Sequence, residues 1–183
     1  MMVLYILLGV VVLIGLYIVG VFNNLVAMRE TVKNGWSQID VQLKRRHDLI
    51  PNLVETAKGY MGHEKDTLER VIKARQQAID VKGLKDRQEA ENFLTGTLRS
   101  LFAVSENYPQ LKADQQMLRL HEELTSTENK ISFARQYYND EVNRYNVAIK
   151  SFPDNLIAGP FAFTAQEFFE IAPLEKEVPQ AKF

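Results

Sequence analysis

Apolar positions along this chain follow two regimes. Positions 3–22, VLYILLGVVVLIGLYIVGVF, form a run of 20 residues without a charge or a side-chain amide. At ~1.5 Å of helical rise per residue the run is ~30 Å long, the thickness of a bilayer's hydrocarbon core. From Leu25 the apolar positions recur in steps of three and four: Leu25, Met28, Val32, Trp36, Ile39, Leu43, then Ile50, Leu53, Ala57 and Tyr60. Such a seam predicts an amphipathic helix that turns one stripe toward a partner. The seam keeps phase across Pro51, so the proline is expected to kink one helix rather than end it, with Gly62 as the stop. A second helix is expected over 64–80, with Leu68, Val71, Ile72, Arg75, Ala78 and Ile79 on its inner side. VKGLKD (81–86) reads as a loop. A third helix fits 87–108, with Ala90, Phe93, Leu94, Thr97, Leu98, Leu101, Val104, Ser105 and Tyr108 inward, and Pro109 ends it. A fourth fits 113–151, through Met117, Leu120, Leu124, Thr127, Ile131, Ala134, Tyr138, Val142, Tyr145 and Ile149, and Pro153 ends that one. No run of period two survives in the soluble part, so the fold class is all-α.

Lengths turn these helices into an architecture. At ~1.5 Å per residue the first helix rises ~57 Å beyond the apolar run, the second returns ~26 Å, the third climbs ~33 Å and the fourth returns ~59 Å. Short connections favour antiparallel neighbours. The expectation is an N-terminal transmembrane helix continuing into a long antiparallel four-helix bundle, with helices 1 and 4 long and helices 2 and 3 short. Residues 1–23 are then the anchor, 24–152 the bundle and 153–183 a tail containing Phe and Pro. The remaining ~160 residues suffice for one soluble domain with a sizeable core.

A cleaved signal peptide is the rival reading of the first segment. It needs a basic start, a shorter apolar core and small residues at its end. Here no Lys or Arg precedes the run, and Ile18, Val19, Val21 and Phe22 fill its end, so an uncleaved anchor is expected. Arg29 and Lys33 follow the run. The positive-inside rule then puts the N-terminus outside and the helical domain in the cytoplasm. Net charge is −1, which gives no global field toward nucleic acid or anionic lipid. Cysteine is absent, which excludes disulfides, thiolate metal sites and cysteine nucleophiles.

One stretch breaks the seam. QLKRRHDLIPNL (42–53) gathers Lys44, Arg45, Arg46 and His47 ahead of Pro51, and Arg46 occupies the seam position between Leu43 and Ile50. Arg46 lies ~36 Å along a straight helix from the apolar run, several Debye lengths from any headgroup. Asp40, Asp48 and Glu55 interleave with the basic residues, and Asp40 stands at ion-pair spacing from Lys44. That interleaving is unlike the broad basic face of a nucleic-acid site, and no nucleic-acid partner is expected. Pro51 has no N–H to give the His47 carbonyl, which is left free. A buried Arg46 must find acceptors, and Glu128, Asn129, Asp48 or freed backbone carbonyls are the candidates. Such a polar layer fixes helix register more than it adds stability.

At this point WSQID (36–40), QLKRRHDLIPNLVE (42–55), the pairs GY (59–60) and HE (63–64), LHEELTSTENKISFARQYYNDEVNRYN (120–146) and FPDNLIA (152–158) together resemble the LemA family. The resemblance covers nearly the whole chain in order. It implies a bacterial membrane-anchored helical bundle with no established enzymatic activity, located in the inner membrane with a single pass. The motifs supply a structural or partner set: Trp36, Asp40, Arg45, Arg46, Asp48, Pro51, Asn52 and Glu55 from the first helix, and Glu128, Asn129, Arg135, Tyr138, Asn139, Tyr145 and Asn146 from the fourth.

Catalytic templates fail. All three histidines precede acids, yet His63 opens HEKDT and His121 opens HEELT, so the second histidine of a zincin is missing twice. The residues three before the histidines are Lys44, Tyr60 and Leu118, so no diiron ExxH pair forms. The histidines read as solvated polar residues near helix ends. No phosphate-binding or nucleophile-elbow motif appears. YYNDEVNRYN (137–146) reads as seam residues that also hydrogen-bond across helices, ahead of a ligand box. No catalytic, metal or cofactor residue is therefore assigned. Two function classes remain: a tethered, non-enzymatic scaffold or adaptor that self-associates or docks partners, and a ligand-sensing or accessory module acting on a membrane protease or envelope system. Expected partners are further copies of the chain, a membrane protein and membrane lipid. Two helices alone leave the seam of Leu25–Ile39 and Val142–Ile149 open, so self-association or the tail must cover it. Six of the ten phenylalanines lie in the last 32 residues. That tail either lies in the membrane interface or folds onto the open seam, while Glu167, Glu170, Glu175 and Glu177 oppose deep insertion.

Overall fold

The computed structural model describes residues 1–170. Among them there are six helices and no strand: α1 (Met2–Lys58), α2 (Lys65–Asp80), α3 (Leu84–Ser105), α4 (Pro109–Lys112), α5 (Gln115–Ala148) and α6 (Asn155–Ala158). Glu175 and Glu177, named above for the tail, and Phe183, one of its six phenylalanines, lie outside the described residues. Pro51 sits inside α1, as the unbroken phase of the seam required. Residues 1–20 are exposed throughout. α1 is long and apolar enough to cross a membrane.

The chain forms two compact units. The first comprises Met1–Gln38 and Ala134–Phe168. Here α1 buries a narrow stripe of Leu25, Val32 and Gly35, while Tyr138, Val142 and Tyr145 are buried on α5. Gly35 permits the approach of the two backbones: a Cβ there would stand 3.3 Å from the Tyr138 Cα. Trp36 packs edge-on against Tyr138 with ring centres 5.7 Å apart. Residues 149–168 cover this seam by burying Ile157, Ala158 and Phe163. Of the two covers expected from sequence, the tail takes the place. Two polar clasps hold it. The Tyr138 hydroxyl donates to the Glu167 carbonyl at 2.8 Å. The Asn146 amide donates to the Gln166 carbonyl at 2.9 Å and accepts from the Gln166 N–H at 2.8 Å.

The second unit comprises Ile39–Phe133 and resumes at Phe169. Its core joins Ile50, Leu53, Val54, Ala57 and Met61 to Leu68, Val71, Ala74 and Ala78, to Leu94, Leu98 and Leu101, and to Leu111, Met117, Leu120 and Leu124. Burying each leucine or isoleucine contributes about 1.5–3 kcal/mol. The buried face of α1 widens in this unit to Leu43, Arg46, His47, Ile50, Leu53, Val54 and Ala57. A helix covered by several partners needs a broader apolar face than one with a single partner.

Several expectations need correction. α1 ends at Lys58, short of Gly62. Tyr60 and Met61 leave the helix, and the Met61 side chain closes the core end at 0% exposure. α3 runs three residues earlier than expected, because Gly83 turns the chain at φ +106 and the loop shrinks to 81–83. Pro109 does not end α3; it opens α4 at its first turn, where a missing N–H costs nothing. α5 starts after Asp114, whose Oδ1 accepts from the Gln116 and Met117 N–H groups at 2.9 Å, an N-cap. Ile72, Ile79 and Phe93 are exposed rather than inward. The inner stripe of α2 is the narrower set Leu68, Val71, Ala74 and Ala78, whose alanines allow close packing against α3.

Candidate functional site

The basic knot lies wholly within the second unit, and its centre is Arg46. The residue is 2% exposed. Its Nη1 donates to Glu128 Oε2 at 2.6 Å and to the Thr95 hydroxyl at 3.0 Å. Its Nη2 pairs with Glu91 Oε2. Glu128 was among the acceptors named from sequence; Glu91 and Thr95 were not. Thr95 in turn donates to the Glu91 carbonyl at 3.0 Å, so one turn of α3 holds both partners.

His47 does not sit in solvent at a helix end. It is 7% exposed. Its Nε2 lies 2.8 Å from Glu91 Oε1, so the two oxygens of one carboxylate face two basic side chains. Burial alone raises the Glu91 pKa; the His47 hydrogen bond and the Arg46 charge more than offset it, and the net shift is downward. A carboxylate held ionised in this way is a poor general acid or base near neutral pH and a good fixed anion.

The carbonyl freed by Pro51 is also occupied. Arg75 Nε on α2 donates to the His47 oxygen at 2.7 Å. The proline therefore creates a backbone acceptor, and a neighbouring helix supplies its donor. Residues 46, 47 and 51 of α1 together gather contacts from α2, α3 and α5.

Beside Arg46 lies an open cleft of about 240 Å³. Thr95, Leu98, Arg99 and Phe102 of α3 line it, with His121, Leu124, Thr125, Glu128 and Asn129 of α5. The Phe102 and His121 rings stack across it with centres 4.3 Å apart.

The residues singled out from sequence divide between the two units. Asp40, Arg45, Arg46, Asp48, Pro51, Asn52, Glu55, Glu128 and Asn129 belong to the second. Of these, Asp40 Oδ1 accepts from Arg87 Nη1 at 2.8 Å, and Arg45 stands 3.7 Å from Glu123, both at the surface where ion pairs contribute little. Asp48, Pro51, Asn52 and Glu55 are exposed along α1. Trp36, Arg135, Tyr138, Asn139, Tyr145 and Asn146 belong to the first unit, where Trp36, Tyr138 and Asn146 carry the ring contact and the clasps described above. Among the described residues no three His, Asp or Glu side chains gather as a metal site.

The sequence model of the LemA family matches residues 35–183. Magnetosome proteins MamQ 1 and MamQ 2 of Paramagnetospirillum magneticum are each 24% identical over 178 residues, covering 83% of this chain and 65% of theirs. The chain thus spans 65% of the length of those relatives. Protein LemA of Metamycoplasma hominis is 24% identical over 162 residues, covering 86% of this chain and 73% of its own.

Proposed function

This chain belongs to the LemA family, and on that premise we propose that it is a membrane-anchored, non-enzymatic helical scaffold or adaptor that self-associates or docks protein partners. The apolar start of α1 is its single pass through a bacterial inner membrane, and α1, α2, α3 and α5 act as a long antiparallel four-helix bundle on the cytoplasmic side. Arg29 and Lys33, directly after the apolar run, support that orientation.

The observation that carries the reading is a pair of contrasts on the same helices. The Arg46 layer spends its charges inward on Glu91 and Glu128. α5 meanwhile leaves Phe133 and Val147 at 72% and 55% exposure. Phe133 belongs to the second unit and Val147 to the first. Each is a large apolar side chain left open to a protein partner. The chain has no cysteine, so Phe133→Cys and Val147→Cys report directly on each position. Disulfide-linked dimers in membranes from either variant, and none from a control with cysteine at exposed Lys44, support self-association. Monomer alone at both positions removes it.

A second reading rests on the cleft. Leu98, Phe102, His121 and Leu124 around about 240 Å³ suit a small ligand with a flat apolar body. In that case the chain is a ligand-sensing or accessory module for a membrane protease or envelope system. A panel of small aromatic compounds should then raise the melting temperature of the wild type and not of Thr125→Trp, which fills the cleft.

A further inference from the structure

Residues 151–163 of the first unit fold into a hydrogen-bonded knot. The Asn155 N–H donates to the Ser151 carbonyl at 2.8 Å, Ala158 to Asp154 at 2.9 Å and Phe163 to Ala158 at 3.0 Å. Its inner side buries Ile157, Ala158 and Phe163. Its outer side leaves three large apolar side chains in the open: Phe152 at 80%, Leu156 at 65% and Phe161 at 53% exposure. Nothing in the helical pattern requires them there, and exposure of this kind is costly in water.

The position of Phe161 supplies the reason. The Phe161 ring meets Phe22 edge-on at 5.0 Å, and the Phe163 ring meets it at 5.6 Å. Phe22 is the last residue of the apolar run. If that run spans the hydrocarbon core, Phe22 lies at its boundary, and so does the ring that touches it. Farther along α1, the Arg29 guanidinium stands 5.3 Å from the centre of the Phe163 ring. Arg29 is ~10 Å beyond Phe22, and helical side chains lean toward the N-terminus, so its charge sits at headgroup depth. The knot itself carries one acid, Asp154, which is half-buried, while Glu167 and Glu170 come after it.

We propose that residues 151–163 form an interfacial foot, bedding Phe152, Leu156 and Phe161 in the headgroup–acyl boundary of the bilayer that α1 crosses. The inference rests on the anchor reading above. The segment is too short and too interrupted by Pro153, Gly159 and Pro160 to span, so it lies in the plane of the interface, as aromatic-bearing amphipathic segments do. It fixes the first unit to the membrane at a second point and so restrains the tilt of α1.

The test uses the full-length chain in phosphatidylcholine–phosphatidylglycerol vesicles, with or without bromine along the acyl chains. Trp36 is the sole tryptophan, so Trp36→Phe with Phe152→Trp moves the only indole to the foot. Trp36→Phe with Leu156→Trp is the companion variant. Indole emission from both variants should fall at least about twofold in brominated vesicles, as for a side chain at the acyl boundary. The wild-type Trp36, ~21 Å along α1 from Phe22, should be unaffected. Variants that float with the vesicles yet are equally bright in both overturn the foot and leave the anchor standing. In that case acrylamide quenching identifies a water-exposed indole, and resistance to acrylamide one covered by a second copy. A chain that does not float overturns the anchor and the foot together.

Discussion

Arg46 is where sequence and structure meet most sharply. A cation in an apolar seam announces buried electrostatics, because leaving it unpaired costs several kcal/mol. Arg46→Ala should therefore destabilise the chain by about 3–5 kcal/mol, since it strands the Glu91 carboxylate. Lys44→Ala, on an exposed position, should change stability by less than about 0.5 kcal/mol. Helical circular-dichroism melts in detergent compare the two, and equal small effects contradict the register role. The pH dependence follows from Glu91. Its folded pKa lies below the ordinary 4.5, so its contribution is complete above that value and is lost as pH falls through the folded one. Stability should drop on the acid side of about pH 4.5, and Glu91→Gln should flatten that limb. Arg46 was legible because the charge interrupted a stripe. Glu91 carried the same signal: positions 91, 94, 98, 101 and 105 are spaced by threes and fours and all are buried. Starting the stripe of the third helix at Ala90 hid it. His47 was not legible, because its burial depends on the wider face α1 presents to several partners.

At the scale of the element, hydrophobic periodicity located the long helices, and local chemistry moved their ends. Pro51 stayed inside α1 because the seam did not lose phase. Pro109 reversed its expected role because a proline fits the first turn of a helix as readily as it blocks the last. Gly83 and Asp114 set the starts of α3 and α5 through one positive φ and one side-chain cap, which periodicity does not register. The Pro51–Arg75 arrangement gives a sharp expectation. Arg75→Ala removes the donor to the His47 carbonyl and should cost about 1–3 kcal/mol. In a Pro51→Ala background the residue 51 N–H can take that carbonyl, and the cost of Arg75→Ala should shrink by at least about 1 kcal/mol. Strictly additive melting shifts across the four variants contradict the account. The approach at Gly35 is equally specific. Gly35→Val forces branched carbon against the Tyr138 backbone and should destabilise by about 1–3 kcal/mol, read in the same melts.

For the whole molecule, the sequence identified an open seam and two ways to cover it. The choice fell to the tail because Asn146 and Tyr138 offer its backbone three hydrogen bonds that an apolar pattern cannot encode. With that seam filled, the proposed self-association is assigned to the open side chains of α5, of which Phe133 and Val147 are more than half exposed. The central claim, a membrane-tethered scaffold built from several copies, is tested most directly by the mass of the full-length chain in mild detergent, corrected for bound detergent by light scattering. One copy weighs 21.0 kDa. A particle of at least twice that protein mass is expected, falling toward a single copy when Phe133→Glu and Val147→Glu are combined. A wild-type particle containing one chain at every concentration would contradict it.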